Sequence, residues 1–305
     1  ALYANIDGFE LDEENTVPIE ERAELDRWII ARLQQLIKDA EDAYENYDPT
    51  RAARTIQDFA IDELSNWYIR LSRRRFWKGE MSVDKKAAYE TLIECLRVVA
   101  QLMSPIAPFF ADWLFKNLRE GIKNKKANSA YQQESIHLSL LAPANEHLID
   151  GDLLKSMDLA QRVSSLILSI RKLENIKVRQ PLQIAKIPDL DGSLTKAGQA
   201  VLSLIKAETN VKEIVFDNNA AYLKKSVKAN FKVLGPKAGT QMKAIAAEIL
   251  ELEELIIDGL NAGTIKSAIL PKTGFEISRE DLDIQISSVD GDWKMHIQKH
   301  RIVYR

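Results

Sequence analysis

From Glu24 onward, apolar residues return every three or four positions, with Leu25, Trp28, Ile29, Leu33, Leu36, Ile37, Ala40 and Tyr44 on one face. That is the period of an amphipathic helix, and it predicts one from Glu24 to about Tyr47. Asp48 then offers a capping oxygen and Pro49 a first helical residue whose missing N–H costs nothing. A second helix is therefore predicted from Pro49 to about Trp77. At about 100° per residue, its stripe is Ile56, Ala60, Leu64, Trp67 and Leu71. Gly79 ends it, and Ser82 with Asp84 opens a third helix striped by Ala88, Leu92, Cys95, Val99 and Met103. Ser104-Pro105-Ile106-Ala107-Pro108 breaks the pattern, because proline removes a backbone donor and crowds the preceding turn. A fourth helix follows with Phe110, Trp113, Leu114 and Leu118. Four such helices on short turns predict a bundle. Each large apolar side chain buried is worth about 1.5–3 kcal/mol, enough to hold it without metal or disulfide.

On either side the pattern differs. Residues 1–20 are acidic at Glu10, Asp12, Glu13 and Glu14, have no helical period and start without methionine; they are expected to be an extended lead-in cut from something longer. Residues 123–135 are polar, with Lys123, Lys125 and Lys126, and are expected to be a surface connection. A fifth amphipathic helix is predicted from about Asp152 to Glu174, with Met157, Ala160, Val163, Ile167 and Ile170 inward. Beyond Leu182, strand-like runs at 183–187, 211–216 and 227–233 mix with helical patterns at 195–208 and 241–257. Leu282, Ile284 and Ile286, then Met295 and Ile297, alternate as half-buried strands of an antiparallel sheet do. The expected division is a lead-in over 1–20, a helical domain over 21–182 and a small α+β domain over 183–305.

Composition narrows the function classes. The 305 residues are 46% hydrophobic and 29% charged, with a formal net charge of −3, so total charge supplies no attraction to nucleic acid and any such binding must rest on local cations. The one cysteine, Cys95, lies on an apolar face and excludes an internal disulfide, which fits a reducing, cytoplasmic compartment. There is no signal peptide and no bilayer-length apolar run. His137, His147, His296 and His300 are scattered, and no ligand set for a metal is expected. Gly235-Pro236-Lys237-Ala238-Gly239 lacks the spacing of a phosphate-cradling loop, and no nucleophile stands beside a base. No catalytic residue is expected here.

The chemistry that does stand out is the run from Asp62 to Lys78. Arg70, Arg73 and Trp77 share a face beside the apolar stripe, with Arg74 and Lys78 adjacent. Guanidinium groups stay charged and fit phosphate in a forked geometry, while an indole stacks on a base. Arg70, Arg73 and Arg74 are therefore candidate phosphate contacts and Trp77 a candidate stacking platform, or else a cap on the bundle. Trp67 reads as core, and Arg75, on the other flank, as a partner for an acid on a neighbouring helix. Arg171, Lys172, Lys177 and Arg179 form a second candidate patch, although cations at a helix C-terminus also favour the macrodipole.

The run Asn66-Trp67-Tyr68, Arg70 and Ser72-Arg73-Arg74-Arg75-Phe76-Trp77-Lys78 resembles the anticodon-binding domain of the isoleucyl-tRNA synthetase family, a class I group. Tyr3-Ala4-Asn5-Ile6-Asp7, Glu24-Leu25-Asp26-Arg27-Trp28-Ile29, Met103-Ser104-Pro105-Ile106-Ala107-Pro108-Phe109, Ser135-Ile136-His137-Leu138, Lys177-Val178-Arg179-Gln180-Pro181-Leu182 and 230–237 resemble it in the same order. The bundle motifs are shared more weakly with valyl and leucyl relatives. Neither class I catalytic signature is present, nor is a cysteine-ligated zinc module, so the resemblance is to a C-terminal piece of the eukaryote-like variety. It implies an intact monomer that charges an isoleucine-accepting tRNA with ATP and Mg, through catalytic and editing domains outside this sequence. This part would grip the anticodon stem-loop. A helical protein-interaction module is the other reading, and it predicts no preference for a matching tRNA.

Overall fold

The computed structural model describes residues 2–77, 79–141, 143–188, 199–217, 223–253, 255–256, 267–288, 295–298 and 301–304. The described chain forms two compact units, 1–161 with 198–204, and 162–197 with 205–305. The division into these units falls inside a helix.

The first unit is the helical one. Its opening residues are ordered where an extended lead-in was expected: α1 (Leu2–Ile6) is followed by β1 (Leu11–Asp12). Leu11 pairs in parallel with Ile122 of β2 (Ile122–Asn124), so a partner over a hundred residues away, invisible to local periodicity, fixes this stretch. The bundle proper begins with α2 (Glu24–Glu45), whose Trp28, Ile29, Ile30 and Leu33 are fully buried. Asp48 caps α3 (Pro49–Asp58) by accepting the Arg51 N–H at 2.9 Å, with Pro49 in the first turn.

The second helix is continuous but not uniform. Between α3 and α4 (Arg70–Trp77), residues Phe59–Ile69 wind as a π-helix. Its i→i+5 bonding puts more residues in each turn than 100° spacing assumes, so the inward set shifts. Ile56, Leu64 and Trp67 are buried as expected, Ala60 and Leu71 are only half-buried, and Phe59 and Tyr68 join the core. Ser82 Oγ accepts the Lys85 N–H at 3.1 Å to open α5 (Val83–Met103), with Ala88 and Cys95 fully buried. In α6 (Pro108–Glu120) the inward residues are Ala111 and Phe115, with Leu114 and Leu118 packed beside them; Phe110 and Trp113, expected inside, are exposed. Pro108 starts the helix, and packing of Ala111 and Phe115 with Ala100, Ile122 and Tyr131 decides the inward face.

Asp150 accepts the backbone N–H groups of Asp152 and Leu153 to open α7 (Gly151–Leu173). In the second unit, β3 (Leu182–Pro188) and β4 (Val211–Asp217) run parallel, with α8 (Gln199–Thr209) between them in the chain. The region is therefore a set of small sheets and not one antiparallel sheet. β5 (Leu223–Ala229) pairs antiparallel with β8 (Leu282–Ser288), and β6 (Ser267–Ile269) with β7 (Glu276–Ser278). β9 (Met295–Gln298) and β10 (Arg301–Tyr304) form a hairpin that joins β3. The predicted strand 227–233 stops at Ala229. Asn230 accepts the Lys232 N–H at 3.2 Å and caps α9 (Phe231–Ala238), turning Leu234 inward. With α10 (Met242–Glu251), these elements enclose a core of Val227, Leu234, Ile245, Ile249, Ile277 and Leu282. Of the sequence patterns, 195–198 and 257 lie outside the described residues.

Candidate nucleic-acid interface

Helix α4 separates its residues cleanly by face. Ser72 and Phe76, four apart, are buried, and Phe76 packs on Tyr89 of α5 with ring centroids 5.0 Å apart. Arg70, Arg73, Arg74 and Trp77 point to solvent. Arg73 and Arg74 make no ion pair or hydrogen bond among the described residues. Trp77 is 59% exposed. Lys78 lies outside the described residues.

What holds this face outward is Arg75. Its Nη1 and Nη2 each donate at 2.7 Å to one oxygen of Asp26, a carboxylate on α2 with 0% exposure. Nε and Nη2 also reach Asp84 at 2.9 and 2.8 Å. Tyr68 completes the site by donating its hydroxyl to Asp26 at 2.6 Å, and burial, then the Asp26 charge, push its phenol well up. A forked pair of this geometry fixes both distance and rotation. The acid partner expected for Arg75 is thus Asp26, with Asp84 as a second, and the remaining arginines of the run are left on the outer side. Trp67 is buried, as its place on the stripe requires.

Tyr3 of α1 is a residue that the sequence pattern did not single out. It is 43% exposed, and its ring centroid lies 6.3 Å from that of Trp77 at 49°. Its neighbours carry no helical period, so only the tertiary contact reveals it. Asp26 was equally hidden, as a charged residue between Leu25 and Trp28.

The second predicted patch does not survive as a unit. Arg171 is 1% exposed and has its guanidinium turned inward. Nη1 donates to the carbonyls of Lys177 and Gln180 at 3.1 and 2.9 Å, and Nη2 to that of Asn210 at 3.0 Å. Those carbonyls belong to the turn after α7 and the approach to β4, where backbone leaving regular structure must still find donors. Arg171 therefore staples two chain segments and is removed from the RNA-contact candidates. Lys172, Lys177 and Arg179 remain exposed near the same turn.

No group of three or more His, Cys, Asp or Glu among the described residues could hold a metal ion. No helix among them is long and apolar enough to cross a membrane.

A bundle carrying an outward cationic and aromatic helix face defines a class, and comparison agrees with it: the profile described as the anticodon-binding domain of tRNA ligase matches residues 26–186. The chain belongs to that family. Within it, the similarity is to isoleucine–tRNA ligases. It is 44% identical over 292 residues to that of Cytophaga hutchinsonii, covering 95% of this chain and 26% of the relative. Identity is 46% over 291 residues with the Bacteroides thetaiotaomicron protein, covering 95% and 24%, and 37% over 238 residues with that of Thermus thermophilus, covering 78% and 22%. The chain thus spans about a quarter of the length of the curated relatives it matches.

Proposed function

We propose that this chain is the part of an isoleucine–tRNA ligase that grips the anticodon stem-loop of an isoleucine-accepting tRNA. The observation that carries the proposal is the outer face of α4, where Arg73 and Arg74 are exposed without partners among the described residues, beside Arg70 and an open Trp77. Phosphate contacts fix position, and splayed loop bases are read by stacking and by their edges. Arg70, Arg73 and Arg74 take the phosphate role, and Trp77, with Tyr3 beside it, offers a platform to an unstacked base. Lys78 follows directly in the chain, and Lys172, Lys177 and Arg179 add exposed positive charge. In the longer protein, ATP and Mg would be handled by a catalytic domain outside these residues. The longer protein would act in the cytoplasm as a monomer.

Arg73→Ala tests the contact. Binding of tRNA measured against salt should weaken as salt rises, and the variant's logarithmic slope should be shallower by about one. An unchanged slope removes Arg73 from the contact. Equal affinity for a matching tRNA and an arbitrary stem-loop would favour instead a cationic face built for an acidic protein.

A further inference from the structure

Helix α1 has five residues, too few to hold a helical shape by themselves in water. A glycine cap shuts its end. Gly8 lies at φ 62°, the Phe9 N–H donates to the Ala4 carbonyl at 2.9 Å and the Gly8 N–H to that of Asn5 at 3.2 Å. What fastens α1 to the bundle is Asp7. Its carboxylate meets Lys85 Nζ at 2.6 Å and accepts the Tyr89 hydroxyl at 2.5 Å, both from α5. Its N–H donates to the Tyr3 carbonyl at 2.9 Å.

We propose that Asp7, Lys85 and Tyr89 are positioning residues of the α4 face, setting Tyr3 beside Trp77 so that the two rings together receive one unstacked base. The inference rests on the reading of that face as an RNA contact.

Lys85 is 1% exposed. A buried ion pair adds little net stability over apolar side chains of similar volume, and its best-attested use is to fix one register. Register is what α1 otherwise lacks, because the packing of Ala4 and Phe9 against Phe76 and Tyr89 is non-directional. Tyr89 carries the setting across to α4. Its ring centroid lies 4.8 Å from that of Phe9 and 5.0 Å from that of Phe76, the residue before Trp77. One side chain thus touches both segments that bear the outer rings. Tyr3 and Trp77 are tilted against each other and half open to solvent, which leaves ring faces on which a base of any kind can stack.

The test is binding of the 305-residue chain to the anticodon stem-loop of an isoleucine-accepting tRNA, and to the same stem-loop made abasic at each loop position in turn. Tyr3→Ala should weaken the intact loop about fivefold or more, the size of one lost base stack, and one abasic loop should bind both chains alike. Asp7→Asn should weaken the intact loop by a similar factor. Tyr89→Phe keeps the rings and removes only the hydroxyl, and should weaken it by about two- to tenfold at unchanged circular dichroism. In a Tyr3→Ala chain neither substitution should weaken binding further, a coupling that a merely structural role would not produce. Wild-type affinity in both Asp7→Asn and Tyr89→Phe, or losses undiminished in the Tyr3→Ala chain, would overturn the assignment. Full affinity in Tyr3→Ala while Arg73→Ala still shallows the salt slope overturns it alone; an unchanged Arg73→Ala slope overturns the RNA reading with it.

Discussion

Replacing Asp26 by Asn removes one charge and almost no volume, and it strikes the contact that orients α4. Asp26 is fully buried and accepts two forked bonds from Arg75 and one from Tyr68. Taking one partner from a buried ion pair costs about 3–5 kcal/mol, because the other charge stays behind without compensation. Here the Arg75 side chain keeps 14% exposure and the Asp84 carboxylate, which places the cost near the lower end, at about 3 kcal/mol. Domains are stable by about 5–15 kcal/mol, so that is a large fraction. For a unit of this size it corresponds to a melting temperature lower by roughly 6–12 °C. Urea unfolding followed by fluorescence of the buried Trp28 and Trp67 reads the loss as a lower midpoint at unchanged slope. The double variant Asp26→Leu with Arg75→Met should recover most of it, since apolar replacement of both members removes the orphaned charge. A loss below about 1 kcal/mol for Asp26→Asn, or a double variant no better than the single, would refute the pair as the anchor.

Two further predictions use other buried groups. Glu63, on the π-helical segment, lies 3.2 Å from Arg32 Nε without hydrogen-bond geometry, while Arg32 Nη2 bonds Asp158. Burial outweighs the shared guanidinium and pushes Glu63 from 4.5 up to about 7. Glu63 thus holds its proton in the folded chain over a range where the unfolded chain has lost it, so its stability contribution is complete below about pH 4.5 and is lost as pH rises through about 7. The unfolding free energy from denaturant titration should fall by about 3 kcal/mol over that window, and Glu63→Gln should flatten the profile; an equally steep Gln profile would assign the dependence elsewhere. Arg171→Met removes a donor from three carbonyls, of which those of Lys177 and Asn210 keep the backbone N–H groups of Gln180 and Leu182, and should destabilise the second unit by about 1–3 kcal/mol. Hydrogen exchange at the Asn175–Gln180 turn would rise accordingly, and an unchanged turn would count against the staple.

The helices were legible because one period and a few caps decide them. Asp48-Pro49 and Ser82 mark their ends as the side chains do in the structure, and the inward residues of α2 and α7 largely follow the spacing, while in α5 Ala88, Cys95 and Val99 do and Leu92 and Met103 are only half-buried. Elsewhere local rules compete, and the sequence does not decide between them. Phe231-Lys232-Val233 is β-favouring by composition, yet Asn230 turns it into a helix start. Phe110 and Trp113 are apolar but outward, because Ala111 and Phe115 of the same helix take the places against Ala100, Ile122 and Tyr131. Arg171 and Arg179 are indistinguishable in sequence; only the carbonyls of Lys177, Gln180 and Asn210 decide that one is interior. At the interface, the outward arginines were readable from α4's own spacing, whereas Tyr3 and Asp26 belong to segments that meet α4 only in three dimensions.

The wide-turned stretch Phe59–Ile69 makes one long rod serve two sets of neighbours. Upstream of Arg70 the rod packs mainly on α2, and downstream mainly on α5 and α1, with Arg75 reaching back to Asp26 of α2. A uniform α-helix would index both halves to the same origin, and changing the phase needed by one half would drag the other with it. The loosened stretch works instead as a vernier: it lets the stripe that grips α2 keep one phase while the arginine ridge takes another, and the fork of Arg75 on Asp26 locks the two settings together.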